Sequence, residues 1–340
     1  MRKVNVYVWG SIMLLGAVVL GIGCGKTSDS TEDLVGNWSR ASDFDGYARS
    51  ESVSFVIGNY VYLSTGITDR DRFNDLWEYS HARKYWTQRA DLPGTARNSA
   101  VAFAIDGKGY LGTGYDGTNK LNDFWQYDPS SNSWTQKASF TGSARYDAVG
   151  FALSGKGYIS SGYDGNYLKD LWQYDPLTDS WTQKASIGGS KRMAATSFVI
   201  NDKAYVVSGA NNGSALNDLW AYDPATDSWD EKRKISNVSD DEYDDDYSSI
   251  ARYNGVAFQM GSYIYFTGGE NGSLLSTTWE YNAATDIWTQ RTGFEGTART
   301  GAIAFSLGDR GFVLTGRSGS LSFDNMYEFD PTAEQDDDDN

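Results

Sequence analysis

Arg97, Ser99-Ala100-Val101-Ala102-Phe103, Gly109-Tyr110, Thr113-Gly114-Tyr115-Asp116-Gly117, Leu121-Asn122-Asp123-Phe124-Trp125-Gln126-Tyr127-Asp128-Pro129 and Ser133-Trp134-Thr135-Gln136 make up the fullest copy of a repeated unit. The unit returns about every 48 residues, the step from Trp86 to Trp134. Within it, Ser99 to Ile105 is apolar or alternating and runs into Asp106-Gly107, a hairpin dipeptide because both residues tolerate positive φ. Tyr110 to Tyr115 reads as a second strand, Asp116 to Asn119 as a turn, Asp123 to Asp128 as a third strand stopped by Pro129, and Trp134 to Ala138 as a fourth.

Four short antiparallel strands of this kind form one blade of a β-propeller. The copies align on three series of six. Fourth-strand tryptophans are Trp38, Trp86, Trp134, Trp181, Trp229 and Trp288. Third-strand aromatics are Trp77, Trp125, Trp172, Trp220, Trp279 and Tyr327. Arginines opening the first strand are Arg49, Arg97, Arg145, Arg192, Arg252 and Arg299. The strand Gly36–Arg40 has no three strands before it, and the last unit, ending at Pro331, has no tryptophan strand after it. The two fragments complement each other. The sequence therefore predicts an all-β, six-bladed propeller of four-stranded blades over 36–331, its last blade closed by the N-terminal strand, which leaves no open seam.

The arginine before an apolar strand, the glycine pair, the Trp/Tyr pair and the later tryptophan resemble the kelch family over 36–331. The chain departs from that pattern at the glycine pair. Five units read Thr65-Gly66, Thr113-Gly114, Ser161-Gly162, Ser208-Gly209 and Thr315-Gly316, and Gly268-Gly269 alone keeps both glycines.

The 340 residues include 12 Trp and 23 Tyr, an aromatic content of 15% that suits short strands and excludes a disordered chain. A net charge of −16 repels phosphate backbones and argues against nucleic acid as a partner. One cysteine, Cys24, and one histidine, His81, exclude an intramolecular disulfide and a site of several His or Cys ligands. Arg2 and Lys3 precede an apolar stretch to Ile22, and Leu20-Gly21-Ile22-Gly23-Cys24 resembles a bacterial lipoprotein signal, with Gly21 where leucine is usual. The resemblance implies removal of 1–23, lipidation of Cys24 and, because Gly25 rather than aspartate follows, an outer-membrane address in the cell envelope. A plain membrane-anchor helix is the alternative. Residues 24–35 read as a flexible tether and 332–340 as a disordered acidic tail.

In a four-stranded meander, the loop after the fourth strand and the loop between strands two and three share one end. All six arginines therefore belong to one rim. A ring of guanidinium groups suits an anion, because each fork grips a carboxylate or sulfate in two bonds. A structural role is the favoured alternative and is compatible with it, each arginine pairing with an acidic or backbone group of a neighbouring blade, and Asp75, Asp123, Asp170 and Asp218 are available partners. Thr277 and Asn325 stand at that position in the last two units. Rim residues that break the repeat are Tyr115, Tyr146, Tyr163, Tyr253, Glu270 and Arg317. Tyrosines beside charged donors suit a sugar or a peptide, or else ordinary packing.

The step from fourth-strand Trp to the next Arg is 11 residues in five units and 23 from Trp229 to Arg252. The insertion carries Asp240, Glu242, Asp244 and Asp246, candidates for Ca²⁺, although the glycine and terminal glutamate of an EF-hand are missing; a solvated mobile loop is the alternative. Kelch-like enzymes include copper radical oxidases, which need two histidines and a Cys–Tyr crosslink; His81 and Cys24 cannot supply them. A sialic-acid-type epimerase or mutarotase is the nearer enzymatic analogue, with Glu51, Glu270 and the loop aspartates as its candidate acids and bases. The sequence reading is a monomeric, lipid-anchored envelope protein whose propeller binds a glycan or protein partner on the arginine rim. The alternatives are the epimerase and a purely structural surface protein.

Overall fold

The computed structural model describes residues 34–336 and residue 338. The signal, Cys24 and the tether as far as residue 33 lie outside the described residues. Six four-stranded antiparallel blades follow one another around a central axis, as the repeat predicts. In blade 1 the strands are Val53–Ile57, Tyr60–Ser64, Leu76–Ser80 and Tyr85–Arg89. Blades 2, 3, 4 and 5 begin with the inner strands Val101–Ile105, Val149–Leu153, Thr196–Ile200 and Val256–Met260. Blade 6 runs from Thr300–Leu307 through Arg310–Ser318 and Met326–Asp330, and its fourth strand is Asn37–Arg40.

That closure is antiparallel and in register, with Trp38 opposite Phe329 and Arg40 opposite Tyr327. Trp38 is fully buried, with ring centroids 5.0 Å from Phe294, 4.7 Å from Phe329 and 6.0 Å from Phe258. Its indole N–H donates to the Thr292 carbonyl of blade 5. The segment read as a disordered tail from Thr332 is tied to the same strand as far as Asp336. Gly36 N–H donates to the Ala333 carbonyl and Asp336 N–H to Asn37 Oδ1.

Adjacent blades join through aromatic rings laid over small residues. Phe103 stacks on Tyr110 of its own blade and covers Gly157 of the next, where a Cβ would fall 2.3 Å from the ring. Each fourth-strand indole of blades 2, 3 and 4 reaches the preceding blade, Trp134 to the Ala90 carbonyl, Trp181 to Ala138 and Trp229 to Ala185. Repetition of the tryptophans thus has a packing cause, since every blade needs the same wedge, while the N–H acceptor is not shared by all, the buried indoles of Trp86 and Trp288 finding none among the described residues.

The insertion sits after Ile235, whose N–H bonds to the Asn217 carbonyl as Leu92 does to Asn74 and Phe140 to Asn122. It forms one 3-10 turn, Glu242–Asp244, and is not a loose acidic lid. Asp244 is fully buried and accepts bonds from the N–H groups of Val238 and Ser239 and from the Ser239 hydroxyl, so its carboxylate closes the loop on itself. Tyr247 packs between blades 4 and 5 beside Trp279, its hydroxyl accepting the Trp288 N–H at 2.7 Å. Asp240, Glu242, Asp244 and Asp246 do not converge; among the described residues no three His, Cys, Asp or Glu gather as a metal site. The Ca²⁺ expectation therefore finds no ligand cage in this loop.

Candidate ligand-binding rim

The six arginines occupy equivalent places just beneath one end of the ring, and all are buried, none more than 1% exposed. In blades 1 to 4 each grips the third-strand aspartate of its own blade with both guanidinium nitrogens. Arg97 holds Asp123 at 2.5 and 2.7 Å, and Arg192 holds Asp218 at 2.7 and 2.8 Å. Arg49 pairs likewise with Asp75 and Arg145 with Asp170. The third-strand indole donates to the same carboxylate, as Trp125 does to Asp123 and Trp220 to Asp218. Burial pushes the Asp123 and Asp218 carboxyls up, and the guanidinium beside each more than reverses this, holding both below the usual range.

Each arginine also answers the departure at the glycine pair. Its Nη1 donates to the carbonyl of the residue before the glycine, namely Thr65, Thr113, Ser161, Ser208, Gly268 or Thr315. All six of those residues are left-handed, with φ between 54° and 63°. The arginine backbone does a third job. Its carbonyl accepts the glycine N–H of the preceding blade at every junction, from Gly66 to Arg97 round to Gly316 to Arg49. The arginines are therefore struts within a blade and staples between blades, with no guanidinium open to a ligand. The expected partner in a neighbouring blade is instead an aspartate of the same blade.

Blades 5 and 6 lack the carboxylate. Arg252 bonds the carbonyls of Ser249, Ile250, Gly268 and Thr277 and the Thr277 hydroxyl, and the indole of Trp279 turns to the Ser249 hydroxyl. Ser249 belongs to the insertion, which thus supplies the acceptors that an aspartate gives elsewhere. Burial without a counter-charge lowers the Arg252 guanidinium to about 9, still cationic at neutral pH. Arg299 bonds Asn325 Oδ1 and lies among the rings of Phe294, Phe323 and Tyr327.

The surface above the arginines is what a ligand meets. Two residues after each arginine come Glu51, Ser99, Asp147, Ala194, Asn254 and Gly301, all with φ between 51° and 63°. Five backbone bonds link them in a chain around the axis: Asn254 N–H to Ala194, Ala194 to Asp147, Asp147 to Ser99, Ser99 to Glu51 and Glu51 to Gly301. They line a mouth cavity of about 120 Å³, below which a channel of about 230 Å³ runs between small residues such as Ala100, Gly150 and Ala195. Glu51 accepts bonds from the Asn98 amide and the Ser99 hydroxyl and faces Arg317 Nη2 at 3.7 Å. Asp147 keeps some contact with solvent, yet protein surrounds its carboxyl. Burial, with the nearby Glu51 charge added, pushes it up to about 7 against the Ser99 hydroxyl.

Three of the four rim tyrosines come together. Tyr115 lies 5.4 Å from Tyr146, Tyr146 lies 5.6 Å from Tyr163, and Tyr163 lies 5.4 Å from Tyr167. This half-buried row spans blades 2 and 3, with Arg72 over the ring of Tyr115. Tyr253 stands apart, bridged to Glu270, whose carboxylate accepts the Thr300 hydroxyl. The sequence reading missed Tyr167, Asp147 and Lys191. Tyr167 carried a signal, since it follows Tyr163 across the rim turn. Beyond it a cleft of about 490 Å³ opens between blades 3 and 4, walled by Tyr163, Tyr167, Asn166, Lys191, Asn211 and Asn212.

A ring of this geometry, with the arginine strut and tryptophan wedge repeated in every blade, defines a kelch-type propeller. A family model for the KLHDC2/KLHL20/DRC7 Kelch-repeats domain matches residues 37–192 and a Kelch motif model matches 191–235. The chain belongs to the kelch-repeat β-propeller family. Among solved structures it is similar to that of YjhT, with a TM-score of 0.70 and 16% identity over 84% of this chain and 95% of that one, a likeness of fold. No curated protein matches it in sequence. Kelch propellers are in general binding and protein-interaction modules, and this chain has that architecture.

Proposed function

We propose that the chain is a lipid-anchored recognition module of the bacterial cell envelope that binds a glycan on its arginine-side rim. The observation that carries this reading is the tyrosine row Tyr115–Tyr146–Tyr163–Tyr167, four half-buried aromatics in contact on one sector of one rim. Aromatic faces stack on the apolar faces of pyranose rings, and neighbouring polar groups take the hydroxyls. The arginines contribute by holding that rim in shape, because their guanidinium groups are spent inside the blades. Binding of the Cys24→Ser chain to a glycan array, repeated with Tyr146→Ala, tests the proposal; silence across the array sinks it. Palmitate labelling that is lost in Cys24→Ser tests the anchor.

A second reading, a sugar epimerase or mutarotase, is favoured by one feature. Asp147 and Glu51 place two carboxyl groups in the mouth, and burial pushes that of Asp147 up to about 7, the range a general acid or base needs. Faster exchange of sugar anomers by NMR, abolished in Asp147→Asn, would support it.

A further inference from the structure

We infer that the cleft between blades 3 and 4 seats one neutral pyranose residue, stacked on Tyr163 and Tyr167 and hydrogen-bonded by asparagine amides. The inference rests on the glycan reading of the rim and says where one sugar unit sits and what charge it carries. At about 490 Å³ the cleft has the size of a small-ligand site. Its blade 3 wall is an aromatic corner, Tyr163 and Tyr167 meeting at 71° with centroids 5.4 Å apart. Such a corner offers a ring face and a ring edge to one guest.

The opposite wall comes from blade 4 and is built of amides. Asn211 Nδ2 donates to the Lys191 carbonyl at 2.7 Å, which fixes the side chain and leaves its oxygen to accept. Asn212 is left-handed at φ 51°, and its amide has no partner among the described residues. From the blade 3 side, Asn166 adds a third amide whose side chain spends only its nitrogen, on Asp164. These amides offer spare donors and acceptors together, the pattern that hydroxyl groups need because each both gives and takes a hydrogen bond.

Charge decides against an acidic sugar. The arginines that an anion would seek are sealed below the rim, and Lys191 is the one charged residue lining the cleft. A lone exposed ammonium on a chain of net charge −16 gives little attraction at physiological salt.

Ligand-observed NMR titration of the Cys24→Ser chain with glucose, galactose, mannose, N-acetylglucosamine and glucuronic acid tests this. At least one neutral sugar should saturate, with an affinity unchanged by added salt. Tyr167→Ala should weaken it by about tenfold or more. Asn212→Gly removes the amide but suits the left-handed backbone, and should weaken binding by about three- to tenfold while the thermal melt stays unchanged. Tyr85→Ala, at an exposed ring in the fourth strand of blade 1 away from the cleft, should leave the monosaccharide bound. Preference for glucuronic acid with steep salt dependence overturns the neutral assignment. If neutral monosaccharides fail to bind, while array glycans bind and are lost in Tyr146→Ala, the cleft is wrong and the rim reading stands. If no glycan binds at all, both fall.

Discussion

Replacing Asp218 with Asn removes one charge and exchanges one oxygen for an amide in blade 4, and the structure gives the size of the effect. The best rotamer keeps an oxygen on Arg192 Nη1 at 2.7 Å and places the new NH₂ where Oδ2 now accepts Arg192 Nη2 at 2.8 Å and the Trp220 indole at 2.9 Å. Two buried donors then face a donor. Each unsatisfied group costs about 1–3 kcal/mol, and breaking a buried ion pair costs about 3–5 kcal/mol in all. For roughly 300 ordered residues that is a fall in Tm of about 5–8 °C. Blade 6 carries this arrangement naturally, Arg299 with Asn325, but there Phe294 and Phe323 face the guanidinium at 4.9 and 4.3 Å. No such ring lies over Arg192 among the described residues, so blade 4 has nothing to offset the loss. Equilibrium denaturation of Asp218→Asn, Arg192→Met and the double variant Arg192→Met/Asp218→Leu measures it. The double variant should be less damaged than either single one, because no buried charge is left alone. A loss below about 1 kcal/mol in Asp218→Asn would refute the strut reasoning, as would loss of ligand binding in Arg192→Met without loss of stability.

Thr113→Gly should be neutral or stabilising in a thermal melt: it relieves a left-handed β-branched residue at φ 61° and removes a buried hydroxyl that has no partner among the described residues. Trp38→Ala should cost about 3–5 kcal/mol by denaturation, since the N-terminal strand then loses the ring that locks blade 6 to blade 5. Asp147→Asn should change stability in a pH-dependent way. The folded carboxyl titrates near 7 and the unfolded one near its ordinary value, so wild type loses stability as pH rises through that window. The melt of the variant relative to wild type should therefore improve from pH 5 to pH 8, and a flat difference contradicts the buried carboxyl.

The fold was legible because its cause is repetition. Trp134 and its five counterparts recur where every blade needs the same wedge, and the unmatched strand at Trp38 announces its own partner. The rim was legible only as an address. That an aspartate could answer each arginine was legible, but not that Arg97 and Asp123 share a blade, nor that the pair is buried, since burial depends on the loops folded over it and spacing carries no depth. The same holds for the insertion, where Asp244 looks like any of the six acids in 240–246 until the loop folds back onto its carboxylate. The cleft depends on two blades standing side by side, so Tyr167 and Asn212, 45 residues apart, share no local pattern.

The chain of backbone bonds from Asn254 round to Gly301 has an electrostatic consequence. The N–H groups of Asn254, Ala194, Asp147, Ser99 and Glu51 are each spent on the next residue of the chain. A helix end offers its free N–H groups to whatever stands before it, but these five are already taken. The charge at the entrance is therefore set by side chains, by Glu51 and Asp147 in its lining and by Arg317 facing Glu51. One exchange there, acid to amide, takes one of two carboxylates from the entrance.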